Sequence, residues 1–241
     1  MPRVARIVVP GAPHHVTQRG NNRQAVFFTD DDRRLYLKLL AEECTRHSVT
    51  VLAYCLMTNH THLIAIPRQA ASLAKALGRT HWRYTQIINR LHRRSGHLWQ
   101  NRFHSAAMDD HHTGLAMRYI ELNPVRAKIC RLPWRYAWSS AAVHCGDGRA
   151  HAVLDMPDFL RRATPHEWRD VLQQRLDKKQ VDQIRRATTT GRPLAGDSWL
   201  SKAETKLGKR LRPLARGRPR KQKNTVTRRA SEKRKRTKKK R

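Results

Sequence analysis

His60 and His62 stand two apart in residues 60–66 (HTHLIAI). On a β-strand that spacing sends both imidazoles out of the same sheet face, and two neighbouring nitrogens can hold one metal ion. The pair also arises by chance in a chain with 14 histidines, and a sheet face that meets solvent accommodates it without a metal. Further along, in RYIELNPVRA, Tyr119 and Asn123 are four apart, which on a helix is one face. A phenol with an amide oxygen beside it, facing a His pair, has what metal-assisted phosphoryl transfer requires. Two imidazoles and a carbonyl oxygen leave open positions on Mg2+ or Mn2+. Such an ion polarises a phosphate and neutralises developing charge. The phenol then attacks and becomes a phosphotyrosine, dividing one hard transfer into two. A free phenol ionises only near pH ~10, so the nucleophile needs the ion or a nearby base. Taken alone, Tyr119 is equally a core aromatic, and Asn123 the residue that ends its helix before Pro124.

Other residues offer weaker chemistry. Asp109, Asp110, His111 and His112 crowd the start of the tyrosine helix, where capping explains them, although Asp109 or His111 near the site would serve as an auxiliary ligand. Arg19, Arg23, Arg102 and Arg126, with Arg216, Arg218 and Arg220 near the C-terminus, are candidate DNA contacts, and exposed surface charge accounts for them too. Tyr36, Tyr54, Tyr84 and Tyr136 are rival nucleophiles without a polar partner at helical spacing. Trp82, Trp99, Trp134 and Trp138 could stack on bases, with packing the plainer role for most of them.

The elements that must position these groups follow from hydrophobic periodicity. Residues 14–19 (HHVTQR) read as a strand ended by Gly20-Asn21-Asn22, and residues 30–47 as a helix begun by three aspartates. Residues 49–57 (VTVLAYCLM) and 60–66 form a hairpin about Thr58-Asn59. Residues 70–91 give a long helix, 98–107 a last strand and 113–122 the tyrosine helix, since Pro124 disfavours helical backbone in the residue before it. The order β, α, β-hairpin, α, β is the ferredoxin-like split βαβ of the α+β class, an antiparallel sheet with helices on one face, here with an extra catalytic helix. Helices at 134–144, 165–186 and 197–207 would extend it. Residues 1–130 are thus expected to form a nuclease domain, 131–205 a helical extension and 206–241 a disordered basic tail.

Charge points to a polyanion. The 241 residues carry 51 Lys and Arg against 18 Asp and Glu, a formal +33, and only 39% are hydrophobic. Clustered basic residues gain free energy by releasing counterions from phosphate backbones. Nineteen of them lie in residues 206–241 with Glu232 as the sole acid, a stretch too poor in apolar side chains to offset its ordering entropy. No apolar run approaches the ~20 residues of a membrane span, and MPRVARIVVPGAPHH, broken at Pro10 and Pro13, does not read as a secretion signal. Cys44, Cys55, Cys130 and Cys145 are dispersed without a CxxC pair, as expected of reduced thiols in a cytoplasmic protein. No GxxxxGK[ST] phosphate loop occurs.

The segments CLMTNHTHLIAIP and RYIELNPVRAKI resemble the two motif blocks of single-tyrosine HUH transposases, most closely the REP-associated tyrosine transposases of bacteria. VTQRGNNRQAVF, GHLWQNRFHS, WRYAWSSAAVH and GRPLAGDSWLSKAETKLGKRLRPLARGRPRK agree in order, so the likeness covers about residues 1–221. It implies that His60, His62 and Asn123 bind Mg2+ or Mn2+ and that Tyr119 is the nucleophile. The implied activity is cleavage and joining of single-stranded DNA at palindromic, hairpin-forming elements, through a 5′-phosphotyrosine with a free 3′-hydroxyl and no nucleotide cofactor. It also implies a monomer at the nucleoid, a dimer being the state of related insertion-sequence enzymes. Two positions depart from the family: Thr61 replaces a bulky apolar residue between the histidines, and Thr58 a proline before Asn59. Thr61 should face the opposite side of the strand and leave the ligands undisturbed, with thinner packing there. The rival expectations are a non-catalytic nucleic-acid-binding protein on the same fold and a basic RNA-binding factor.

Overall fold

The computed structural model describes residues 6–213; Arg216, Arg218, Arg220 and the rest of the basic tail lie outside them. Four antiparallel strands make one sheet in the order β2-β3-β1-β4, with β1 His14–Arg19, β2 Val49–Met57, β3 His60–Pro67 and β4 His104–Ala107. Helices α1 (Asp30–Arg46) and α2 (Ser72–Leu91) connect them as the split βαβ arrangement requires. Thr29 and Asp32 form a reciprocal capping box that starts α1. Both helices pack on one sheet face, burying Val16, Tyr54, Leu56 and Leu63 against Tyr36, Leu40, Leu77 and Tyr84.

The second face is covered as well. Helix α3 (Asp110–Glu121) lies across β2 and β3, joined by the short α4 (Asn123–Arg126). Around it gather α5 (Ala141–His144), α6 (Met156–Leu160), α7 (Pro165–Gln173) and α8 (Lys178–Thr190). Ala53, Cys55 and Ile64 from the sheet meet Met117, Ile120, Ala141, Phe159 and Trp168 there. The strand sequences require this: VTVLAYCLM is apolar at odd and even positions, so neither of its faces can meet water. α9 (Asp197–Leu207) sits on a smaller cluster with Val9, Ala12 and Leu211.

Boundaries differ from the sequence expectation in several places: the tyrosine helix, expected over 113–122, runs Asp110–Glu121, capped by Asp109, and the long helix starts at Ser72. β4 spans only 104–107, because Asn101 adopts a left-handed φ of 55° and Trp99 keeps a single bridge to Gly20. The helix expected over 165–186 is two, divided at Gln174, whose ψ of 145° is extended. The helix expected over 134–144 is a 3-10 turn at Pro133–Arg135 followed by α5. Residues 206–213, grouped with the tail by composition, include the last turn of α9 and the buried Leu211.

Candidate active site

The site forms between the second sheet face and α3. Register places Arg19 opposite His60 and Thr17 opposite His62, so His15, Thr17 and Arg19 share the face that carries both histidines. At the hairpin, Gly20 donates its N–H to Asn59 O at 2.8 Å. A Cβ on Gly20 would collide with the Gln24 carbonyl, so glycine permits this close approach. Asn59 in turn donates Nδ2 to Arg23 O at 3.0 Å and faces its Oδ1 to His60 Nδ1 at 2.7 Å. A carbonyl oxygen only accepts, so the His60 proton is on Nδ1 and its Nε2 is bare. Thr61 is buried on the α1 side, near the Tyr36 hydroxyl.

The rings form a compact group. His60 and His62 are 5.0 Å apart, edge to face. Tyr119, buried on α3, stands edge-on to His62 at 5.9 Å and to His15 at 5.8 Å. His15 stacks on His62 at 5.1 Å, with 2.9 Å between His15 Nε2 and His62 Nδ1. Asn123 begins α4 with Nδ2 3.1 Å from His60 Nε2. Arg126 ties this end together. Its guanidinium lies 4.0 Å from the Tyr119 ring centre, donates Nη1 to Tyr119 O at 2.6 Å and donates Nη2 to Asn123 Oδ1 at 2.9 Å.

Electrostatics keeps the imidazoles neutral. Burial, with Arg126 beside it, pushes His15 down to about 3. Burial and then Arg19 and Arg126 push His60 down to about 4. His62 is held well below the usual value by burial first, then by His15, His60 and the two arginines. Neutral rings keep the lone pairs that a metal needs. Among the described residues no three His, Cys, Asp or Glu side chains surround one point. The Asn123 amide stands beside the His pair, with Nδ2 toward His60 Nε2 and Oδ1 accepting from Arg126.

Sequence spacing thus anticipated four of the grouped residues, and Arg126 joins them as a neighbour of the tyrosine. Arg19 lies on the site face and is exposed. Arg23 is exposed in the turn that holds Asn59, and Arg102 is exposed away from the rings, on a basic cleft of about 900 Å3 with Arg6, Arg192 and Arg210. A smaller cleft of about 340 Å3 runs along Thr17, Arg19 and Thr188 and shares Asn101, His104 and Thr189 with the basic one. Asp109 caps α3 by accepting from His112 N at 2.9 Å and also accepts from Gly196 N at 2.8 Å; it holds elements together and has no hydrogen bond to the ring group. Asp110 pairs with Arg162, and His111 stands against His112. Burial pushes Tyr54 and Tyr136 up to about 12, and Tyr36 and Tyr84 higher still. Tyr84 and Tyr136 donate to the carbonyls of Val26 and Leu56. Of the four tryptophans Trp82 is 55% exposed, with Arg79 over its ring, and Trp99 is buried.

His15 was missed by sequence reasoning, and so was its partner Thr188. The alternation in HHVTQR places His15 with Thr17 and Arg19, but only the β1–β3 register brings that face beside His62. A second buried polar group also escaped notice. Glu121 accepts from Trp168 Nε1 at 2.8 Å and from the Ser140 hydroxyl, with His144 Nδ1 2.7 Å away.

One solved structure shares this architecture. No curated protein matches the sequence. Among solved structures, a REP-associated tyrosine transposase bound to a REP hairpin aligns with a TM-score of 0.51 at 17% identity, covering 64% of this chain and 92% of the other. A transposase-like protein from Deinococcus radiodurans aligns over 53% of this chain and 92% of its own at 19% identity, with a TM-score of 0.36. The family model described as transposase IS200-like matches residues 9–123, from the strand before the hairpin to the asparagine after the tyrosine helix. Over residues 9–123 the chain is thus similar to the IS200-like transposases.

Proposed function

We propose that this protein is a single-stranded DNA nickase and strand-transferase, with Tyr119 as nucleophile and His60, His62 and Asn123 as the holders of a divalent cation. The observation that carries the reading is the meeting of the Tyr119 ring with His62 at 5.9 Å, beside a His60 that already contacts Asn123. Mg2+ or Mn2+ bound there would polarise the scissile phosphate and neutralise its developing charge. Arg126 lies against the phenol ring and donates to the Tyr119 carbonyl, which holds the tyrosine in place on α3. The Tyr119 hydroxyl gives up its proton as its oxygen bonds to phosphorus, the bond to the 3′ oxygen breaks, and that oxygen takes up a proton as a free 3′-hydroxyl, so no proton is gained or lost overall. The 5′-phosphotyrosine keeps the bond's free energy, so a 3′-hydroxyl can reverse the step on another strand without a nucleotide.

The substrate class follows from charge and likeness. A hairpin with single-stranded flanks offers phosphates to the two joined clefts, and the exposed Trp82 offers a stacking surface. The REP hairpin held by the similar solved structure makes a palindromic element the ligand to test first. Among the described residues no helix is long and apolar enough to cross a membrane. We read the protein as a monomer acting at the nucleoid, with residues 1–130 as the catalytic part, 131–205 as an extension and the terminal basic stretch as added DNA affinity.

The decisive experiment incubates the full chain with a labelled palindromic single strand and Mn2+. A covalent adduct that survives denaturing electrophoresis and disappears in Tyr119→Phe supports the reading. Tight binding without an adduct would instead make this a binding protein on a transposase fold. Equal affinity for structured RNA would point to an RNA-binding factor.

A further inference from the structure

Three buried residues from three separate elements form a chain of hydrogen bonds that ends at the candidate metal site. Thr188, in the last turn of α8, donates its hydroxyl to Ile184 O at 2.8 Å. The same oxygen lies 2.8 Å from His15 Nδ1, and His15 Nε2 lies 2.9 Å from His62 Nδ1. His15, His62 and Thr188 are 2%, 7% and 6% exposed, so water does not substitute for any of these partners.

The direction of each bond forces the next. A backbone carbonyl cannot donate, so the 2.8 Å contact to Ile184 O uses the only proton of the Thr188 hydroxyl. The Thr188 oxygen then has lone pairs alone for His15, and His15 must carry its proton on Nδ1. A neutral imidazole has one N–H, so His15 Nε2 is an acceptor and His62 Nδ1 must be the donor. His62 Nε2 is left bare. His60 reaches the same state from the other side, because Asn59 Oδ1 fixes its proton on Nδ1.

We propose that Thr188 and His15 are positioning residues which fix the His62 proton on Nδ1 and so keep the His62 Nε2 lone pair for a divalent cation. The role assigned to the cation rests on the function proposed above; the tautomer does not. A packing role alone would not explain the arrangement, since an apolar pair at 15 and 188 would fill the space with no buried polar atom to satisfy. Ring nitrogens remote from a metal that donate to a defined acceptor are a general means of orienting metal-binding histidines, and losing such a partner costs about 10- to 100-fold in metal affinity. The inference also makes α8, far along the chain, part of the site rather than an appendage to it.

The test uses the full chain with 15N-labelled histidine. Long-range 1H–15N spectra without metal should show both His15 and His62 protonated at Nδ1. In Thr188→Val, which keeps the shape and removes the acceptor, both rings should move toward the Nε2-protonated form. Mn2+ affinity by calorimetry should fall about tenfold or more, and Thr188→Ser should restore both readouts. A wild-type His62 protonated at Nε2 would overturn the inference. So would a folded Thr188→Val with unchanged tautomers and unchanged Mn2+ affinity. If Thr188→Val does not fold, the wild-type spectrum and Thr188→Ser decide. Wild-type tautomers as expected in a protein that takes up no Mn2+ would leave the relay standing and remove the metal-dependent function instead.

Discussion

Asn123 turns its Nδ2 toward His60 Nε2 at 3.1 Å, so the amide shows the ring its donor side. The cause is Arg126, a group that only donates, which takes the Asn123 Oδ1 at 2.9 Å. For the amide to ligate a cation it must turn its oxygen over and release that arginine, and the guanidinium itself repels a cation. Arg126→Gln should therefore bind Mn2+ several-fold more tightly than the wild type in the absence of DNA. Asn123→Ala should weaken Mn2+ binding by about tenfold or more. Calorimetric titration with Mn2+ measures both; an Arg126→Gln protein that binds Mn2+ more weakly would contradict the competition.

Glu121 sits two residues beyond the proposed nucleophile and fastens α3 to α5 and α7. Its carboxylate accepts from the Trp168 indole and the Ser140 hydroxyl, wholly buried. Glu121→Ala leaves the Trp168 indole N–H without a partner, while the Ser140 hydroxyl keeps Tyr54 O at 3.3 Å, so a loss of about 1–3 kcal/mol is expected. Glu121→Gln keeps one acceptor and should lose less. Urea unfolding followed by far-UV circular dichroism checks the order of the three midpoints. Equal midpoints for wild type and Glu121→Ala would mean that the network contributes nothing.

How much of this was legible beforehand depended on the range of each interaction. The hairpin at Thr58-Asn59 and the spacing of Tyr119 and Asn123 are local, so alternation and the 3.6-residue period expose them. His15 and Thr188 lie 173 residues apart, and nothing in either segment announces the other. The broken helix at Gln174 was readable in principle. Asp177 precedes Gln180 by three residues and donates its N–H to the Gln180 side chain, a start signal that the longer period concealed. The covered second sheet face was implied by the unbroken apolar run of β2, but which later helices cover it is a tertiary fact.

Acid should destabilise the fold through its histidines. Burial holds His14 and His60 down to about 4 and His15 and His81 down to about 3, whereas the unfolded rings titrate near ~6.5. Between those values the unfolded chain binds protons that the folded chain does not. Stability is therefore whole above pH ~6.5 and falls as pH drops toward ~4, each group contributing a slope of up to about 1.4 kcal/mol per pH unit. The carboxylates held low act only below about their ordinary values, 3.8 for Asp32 and Asp109 and 4.5 for Glu167 and Glu204, so the window above pH 4.5 belongs to histidine. Thermal melts at pH 7.5, 6 and 5 should show Tm decreasing at each step, and a constant Tm across them would refute the assignment.

Salt should separate what the terminal basic stretch contributes from what the body contributes. Deleting residues 214–241 removes fifteen of the 51 Lys and Arg and one of the 18 acids, and leaves a body that is still basic. Single-strand binding falls with log salt at about 0.7 per phosphate neutralised. The truncated protein should bind a palindromic single strand more weakly at 50 mM salt and with a shallower slope, and the two binding curves should converge as salt rises. Adduct formation at saturating DNA should persist, because His60, His62, Tyr119, Asn123, His15 and Thr188 all lie within residues 6–213. Fluorescence anisotropy over a salt series, with the adduct assay beside it, reads both. An unchanged slope would show that the body's own arginines make all the phosphate contacts, and lost adduct at saturation would give the terminal stretch a direct part in the chemistry.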